Sequence, residues 1–324
     1  MFAAYVALFC FLAGEIVARV FYGHFADFNM EMWRYAREMK SPLPYEKLPF
    51  HHVPYHQGHF YGVTIKTNSL GFRDREYDIE KPKNKKRIIL LGDSFTLGWG
   101  VSFEKTFAKQ LETMLNRRQG AWEVINMGAG NYNSTMEVEL FELKGLQLDP
   151  DIVILVYFVN DVEPVPGKES GLVYAATKHS YCISFLAGRF IKLRSRFDSD
   201  YQWSRYYRSL YSPANTANIS AAEKSIRKLV RLCRRHDISL LFVNIPELRD
   251  FDNYQFFEAT EHIRSLAREA SVPFLDLFVS FAVHKPESLW VSQEDPHANE
   301  KANSIIAEQI YGMLIQESHS ALLN

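Results

Sequence analysis

A chain of 324 residues with 47% hydrophobic and 14% aromatic residues against 23% charged ones can bury a sizeable core, which argues for one main domain with additions and excludes a largely disordered chain. Lysine and arginine total 37 against 38 acids, a net charge of −1, so there is no overall basic field to hold nucleic acid. The three cysteines, Cys10, Cys182 and Cys233, are far apart and form no C-x-x-C, which excludes a disulfide framework and a cysteine zinc site; at most one bridge, Cys182 to Cys233, is possible, and buried free thiols are the simpler expectation.

The chain opens on an uncharged run, Phe2 to Gly14, and the apolar pattern continues through "EIVARVFYG" with only Glu15 and Arg19 interrupting it. Phe2 to Gly23 would make a helix of about 33 Å, enough to cross a hydrocarbon core of about 30 Å. Residues 1–23 are therefore expected to form a single-pass membrane anchor, with Glu15 and Arg19 paired at i, i+4 or Arg19 snorkelling to the interface. A buried core helix and a cleaved signal are the alternatives. The signal fits less well, because the run has no basic n-region and no clear A-x-A site after it. Arg19, Arg34, Arg37 and Lys40 all follow the apolar run, and counted alone they would keep that side cytoplasmic.

Residues 24–84 read as a collar rich in aromatics, histidines and prolines, with "FYGVTIKT" as a strand or hairpin. His51, His52, His56 and His59 match no standard metal spacing and are expected to be solvated or packing histidines. "KPKNKKR", Lys81 to Arg87, reads as a solvated lead-in loop. From residue 85 to 318 the pattern turns regular. "RIILLG", "WEVINMG", "DIVILVYFV", "ISLLFVNIP" and "VPFLDLF" are short apolar runs typical of strands buried on both faces. Between and after them, helices are expected over "SFEKTFAKQLETMLNRR" with Ser102 as N-cap, over "NSTMEVELFELKGL", from near Ser220, and over "EKANSIIAEQIYGMLIQ". Alternating strands and helices predict an α/β domain with a parallel sheet covered on both faces.

The alternation stops between Val162 and Asn218. There Arg189, Lys192, Arg194, Arg196, Arg205 and Arg208 interleave with Phe190, Phe197, Tyr201, Trp203, Tyr206, Tyr207 and Tyr211. Such a helical insert could cover a sugar, a membrane surface or an acyl chain, or simply pack its aromatics on the body.

In an open α/β sheet, ligands sit beyond the carboxyl ends of the strands. Gly92, Asp93 and Ser94 follow the first strand, Gly128 and Gly130 the second, Asn160 and Asp161 the third, and "EDPHAN" before the last helix supplies Asp295 and His297. A serine hydroxyl needs a base, histidine is best suited to take and return its proton, and an acid beside the histidine fixes its tautomer. An oxyanion needs preorganised donors, for which the Ser94 and Gly128 amides and the Asn160 side chain would serve. The set is a parts list for acyl transfer.

These residues carry a resemblance. The chain resembles the SGNH, or GDSL-type, hydrolase superfamily: "GDSF" matches its nucleophile block, "NMGAG" its glycine block, "FVND" its asparagine block and "EDPHAN" its histidine block, in family order over Gly92 to Asn299. The resemblance implies a three-layer, flavodoxin-like, doubly wound parallel five-stranded sheet and a serine esterase or acyltransferase that uses no cofactor and no metal. It implies Ser94, Asp295 and His297 as the catalytic residues, and Ser94, Gly128 and Asn160 as the oxyanion hole. Two blocks depart from the usual pattern. Phe158 stands where G-x-N-D has its glycine, and D-x-x-H is replaced by a sequence in which Asp295 lies two residues before His297 and Glu294 three. A D-x-H spacing occurs in related polysaccharide acetyltransferase-type members, so Asp295 is expected to be the orienting acid, with Glu294 the alternative. Asp93 and Asp161 are expected to serve locally, in turns and helix starts.

The function expected is hydrolysis of a lipid ester or of an O-acyl group on a glycan, with O-acyl transfer to a cell-surface polysaccharide, or silent binding of an acylated glycan, as alternatives. Expected partners are the substrate, the membrane through the N-terminal helix and a possible membrane-complex partner, with no nucleic acid. Anchored relatives commonly work outside the cytoplasmic membrane, which sets the resemblance against the lysine and arginine count.

Overall fold

The structure is a computed structural model that describes residues 1–22, 28–119, 121–167, 179–197 and 203–317; Gly23 and Tyr201 lie outside the described residues. The N-terminal run forms helix α1 (Phe2–Tyr22), the one described helix long and apolar enough to cross a membrane. Most of its large side chains are exposed, Phe9, Ile16 and Val17 among them.

The collar is more ordered than its sequence suggests. "FNMEMWRYAREM" forms helix α2 (Phe28–Met39), which buries Met30, Glu31, Tyr35 and Met39 and was not legible in the sequence. Its bulky aromatics and alternating charges obscure the period, and packing rather than propensity stabilises it. Two antiparallel hairpins follow, β1 (Lys40–Pro42) with β2 (Phe50–His52), and β3 (Gln57–Phe60) with β4 (Val63–Lys66). The second is the expected hairpin over "FYGVTIKT". Leu48, Phe60, Ile65 and Phe72 are fully buried, so the collar is part of the core. His51 and His52 are packing histidines: His51 bonds Tyr132 Oη and the Leu70 carbonyl, His52 bonds Tyr35 Oη and the Gly71 carbonyl, and burial pushes His51 down to about 3.

The main sheet comprises β5 (Lys86–Leu91), β6 (Trp122–Asn126), β7 (Ile152–Tyr157), β8 (Ser239–Asn244) and β9 (Phe274–Asp276). The strands lie in the order β6-β5-β7-β8-β9, every pair parallel, with Ile89 opposite Ile125 and Val153. The first strand of the sheet thus lies between the second and third, the flavodoxin-like order with its switch point beside β5. Alternate residues face opposite layers. Ile88, Leu90, Ile154 and Val243 pack against α4 (Phe107–Gln119) and the C-terminal helix, Glu300–Glu317. Ile89, Leu91, Val153 and Phe242 pack against α5 (Ser134–Leu140) and two helices at Thr216–Arg235 and Phe257–Glu269.

The insert supplies α6 (Tyr181–Phe197) and α7 (Trp203–Ser209); after it come α8 (Thr216–Arg235), α9 (Phe257–Glu269), α10 (Phe278–Ala282) and α11 (Glu300–Glu317). Within α7, Tyr207 packs on Phe158 and Phe256, and Trp203 lies against Phe256, so these aromatics pack on the body. Helix α8 starts four residues before Ser220, and α9 was not expected at all.

Three further local expectations are corrected. Arg87 is not in a solvated loop but fully buried: its guanidinium donates to the Ile79, Leu148 and Asp78 carbonyls and to Glu123. A charge run cannot reveal that one member finds a set of acceptors. Ser102 makes no side-chain cap, because a 3-10 turn, Phe103–Lys105, precedes α4. The "NSTMEVELFELKGL" helix stops after two turns as an α-helix and runs on as a π turn, Phe141–Gly145. All three cysteines are free, with Cys233 buried.

Candidate active site

The carboxyl end of β5 delivers Ser94 through a turn that only glycine fits: a Cβ on Gly92 would lie 2.1 Å from Thr96 Oγ1. Asp93 caps the following one-turn helix α3 (Ser94–Leu97), its carboxylate accepting the Phe95 amide at 2.9 Å. The turn ends at Gly98 with φ +78°. Ser94 is thereby held at the first position of a helix, with its hydroxyl 2.9 Å from His297 Nε2 and the residue 6% exposed.

His297 comes from the loop before α11. Its Nδ1 is 2.5 Å from Asp295 Oδ1, and its backbone amide donates to the same oxygen at 3.1 Å. A Nδ1–H facing a carboxylate leaves the Nε2 lone pair for the Ser94 hydroxyl. Asp295 is fully buried, whereas Glu294 is exposed and, among the described residues, bonds only through its amide, to Ser292 Oγ. Burial pushes the Asp295 carboxyl up, yet the charge and hydrogen bonds of His297 and the indole of Trp99 together hold it below its ordinary value.

Trp99 is the residue sequence reasoning missed. Its Nε1–H donates to Asp295 Oδ2 at 2.8 Å, so both oxygens of the buried carboxylate are satisfied. The indole is set by the loop between two glycines in the left-handed region, Gly98 and Gly100, and "GWG" was the available signal. From the collar, Tyr35 meets it edge-on at 5.4 Å and Phe60 stacks on it at 6.3 Å. Arg73, also from the collar and buried, donates to the carbonyls of Leu97, Gly98 and Val101 and so ties down the same loop. Tyr61 Oη bonds Ser292 Oγ at 2.6 Å in the histidine loop, and the Phe28 ring lies 5.9 Å from that of His297. The collar is therefore one wall of the site.

Removing the indole donor is expected to have a defined kinetic effect. Trp99→Phe leaves Asp295 Oδ2 without its partner, raises the carboxyl's pKa and should lower kcat/KM by about tenfold, or ~1.4 kcal/mol. The sign follows from the direction: a carboxylate easier to protonate loses its charge at higher pH, so the acid limb of the kcat/KM profile should move upward. A profile that falls uniformly without moving its limb would mean the indole only fills space.

The expected oxyanion donors are placed unequally. The Ser94 amide has no acceptor among the described residues. Asn160 sits beyond β7 in a turn closed by the Asp161 amide on the Phe158 carbonyl, 3.0 Å, and by the Phe158 amide on Asp161 Oδ2, 2.6 Å. Its Nδ2 donates to Asp93 Oδ2 at a long 3.3 Å. Phe158 does not disturb this turn; its ring packs 4.5 Å from that of Phe95. The Gly128 amide, by contrast, already donates to Asn126 Oδ1 at 2.9 Å, and Gly130 donates to Tyr35 Oη at 2.9 Å. Glycine at 128 serves packing, since a Cβ there would lie 2.4 Å from the Leu97 amide nitrogen. In the same turn Asn131, at φ +63°, has an amide with no acceptor among the described residues.

Behind Asn160 lies a buried acid cluster, Asp93, Asp161 and Glu137. Desolvation pushes the Glu137 carboxyl well up, and the charges of Asp161 and Asp93 add to this, so the folded chain keeps its proton to higher pH than the unfolded chain does. Unfolded glutamate titrates near ~4.3, so above that the native state binds a proton the unfolded chain has released, and stability falls as pH rises. Glu137→Gln removes this dependence and is expected to be more stable than the parent at about pH 8, the gap closing toward about pH 4. Urea midpoints at the two pH values measure it; equal gaps at both would refute the protonated state. Among the described residues no cluster of histidine, cysteine and acidic side chains is placed to hold a metal ion.

Comparison with known proteins bears on this geometry. The model of the family described as GDSL-like Lipase/Acylhydrolase matches residues 90–305. No curated protein matches the chain. Among solved structures, the acetyl xylan esterase AlAXEase is 18% identical, with 70% of this chain and 99% of that chain covered at a TM-score of 0.46. A two-domain esterase active on acetylated mannans is 16% identical over 73% of this chain and 50% of its own, TM-score 0.46. An acetylxylan esterase from Geobacillus stearothermophilus is 12% identical over 76% of this chain and 99% of its own, TM-score 0.47. Nothing about this chain's substrate follows from likenesses so distant.

Proposed function

The chain belongs to the GDSL-like Lipase/Acylhydrolase family and is a carboxylic ester hydrolase by that membership, and on this premise we propose that it works through an acyl-enzyme on Ser94. The observation that carries the proposal is the unbroken line Ser94 Oγ, His297 Nε2, His297 Nδ1, Asp295, with links of 2.9 and 2.5 Å. His297 takes the Ser94 proton as the hydroxyl oxygen attacks the ester carbonyl, and Asp295 stabilises the resulting imidazolium. His297 then returns the proton to the departing alkoxide, leaving the acyl group on Ser94. Water activated by the same histidine releases the acid and regenerates the serine. The tetrahedral oxyanion is held by the Ser94 amide and the Asn160 side chain. Gly128 can join them only by giving up its bond to Asn126, and the Asn131 amide is the donor left free in that turn.

A sugar hydroxyl in place of water would give O-acyl transfer by the same steps. An ester panel from p-nitrophenyl acetate to long acyl chains, run with and without a candidate glycan acceptor, separates the two: free acid marks hydrolysis, an acylated acceptor marks transfer. Glycan binding without release of either product would identify a silent binding module.

Helix α1 is proposed as a retained membrane anchor. The Glu15 carboxylate accepts from Ser180 Oγ and from the Tyr181 and Cys182 amides, contacts that a cleaved leader would take away from the domain. The placement of the catalytic domain outside the cytoplasm rests on the resemblance and runs against the lysine and arginine count. Protease accessibility in intact cells against spheroplasts tests it.

A further inference from the structure

A carboxylate within an apolar helix is costly in a membrane unless it is met by donors. Glu15 is met by four: Oε1 accepts from Arg19 Nε at 2.8 Å and the Tyr181 amide at 3.1 Å, and Oε2 accepts from Ser180 Oγ at 2.8 Å and the Cys182 amide at 2.9 Å. Three of these belong to the first turn of α6 and the residue before it. Around them, a Cβ on Gly14 would lie 3.3 Å from Cys182 Sγ, and the Arg19 guanidinium sits 4.8 Å from the Tyr181 ring. Whatever depth Glu15 occupies, the start of α6 shares it.

The row of α6 that begins with Cys182 against Gly14 continues at i+4 steps through Leu186 and Phe190. Both are left exposed, 59% and 66%, as are Ile16 and Val17 of α1. The second half of α6 carries Lys192, Arg194 and Arg196 in its sequence, the composition of a helix that lies in the boundary between acyl chains and anionic headgroups.

Resting on the reading of α1 as a retained anchor, we propose that α6 is a second bilayer contact, a helix held beside α1 by Glu15 whose Leu186 and Phe190 face lipid at the headgroup boundary. Lipid is the occupant because the apolar row starts from the contact with the membrane-crossing helix α1, at Cys182 against Gly14, and its depth is set by the same carboxylate. The consequence is positional: α6 and α1 together fix the domain's tilt, and Phe28, beside His297, follows the end of α1 by only six residues, a span of at most about 22 Å.

The test is depth-resolved quenching of the full-length protein in anionic vesicles. Phe190→Trp adds one emitter to the five native tryptophans, and Val279→Trp, at an exposed position of α10, is the control. In vesicles of brominated lipid, more than about half of the emission added at position 190 should be lost and that added at 279 retained. If the protein floats with the vesicles but the emission added at 190 is unquenched, or no more quenched than at 279, α6 does not lie on lipid while the anchor stands. If the protein does not float, the anchor reading fails and this inference fails with it.

Discussion

Ser94→Ala is expected to lower kcat on a p-nitrophenyl ester by at least about 10⁴-fold, because it removes the atom proposed to form the acyl bond and leaves only the proposed oxyanion donors and binding. The fold should survive. Ser94 occupies the first position of α3, and the cap is the Asp93 carboxylate on the Phe95 amide, which the substitution leaves in place. Thermal unfolding of the variant should therefore match the parent within about 1 kcal/mol. A variant that kept most of its activity with an intact fold would remove Ser94 from the mechanism. A fluorophosphonate that labels the parent and not the variant is the direct check on the acyl-enzyme.

Replacing the two neighbouring acids should give very different results. Asp295→Asn is expected to cost about 10⁴-fold in kcat, since an amide facing His297 Nδ1 favours the wrong tautomer and cannot stabilise the imidazolium. Glu294→Gln should stay within about twofold, because an exposed side chain has no bond to the histidine and surface changes act weakly. The physical distinction is burial. Asp295 is shielded from solvent, with its two oxygens given to His297 and Trp99, so its charge acts at low effective dielectric. If the losses were reversed, the acid of the triad would be Glu294.

Much of the sheet was legible because its strands are buried on both faces, and a continuous apolar run such as "IILL" or "IVILVY" carries that burial openly. Helices with amphipathic spacing, α4, α8 and α11, were legible for the same reason. Helix α2 was not: it buries Glu31 beside Met30 and Tyr35, and the glutamate is made tolerable by Arg34 one turn on in the same helix and by the Tyr61 amide, which comes from the β3–β4 turn thirty residues away. Arg87 and Arg73 were unreadable on similar grounds. These buried guanidinium groups donate mainly to backbone carbonyls, which every residue has, so most of their partners leave no trace in composition.

The oxyanion turn shows the limit within the site itself. Glycine at 128 was expected to offer its amide to the oxyanion, yet its missing Cβ makes room for α3, and the amide is bound to Asn126. Spacing cannot distinguish these two uses of a glycine.

By itself the sequence determined the class of fold, the order of the strand-end residues and the candidates Ser94, Asn160, Asp295 and His297, because local burial patterns and short-range turn chemistry are written in adjacent residues. Only the tertiary structure decided which acid meets His297, that Trp99 completes the acid's hydrogen bonds, and that the collar walls the site. Those depend on groups up to about two hundred residues apart in the chain, and their contact is set by packing, for which chain order holds no signal.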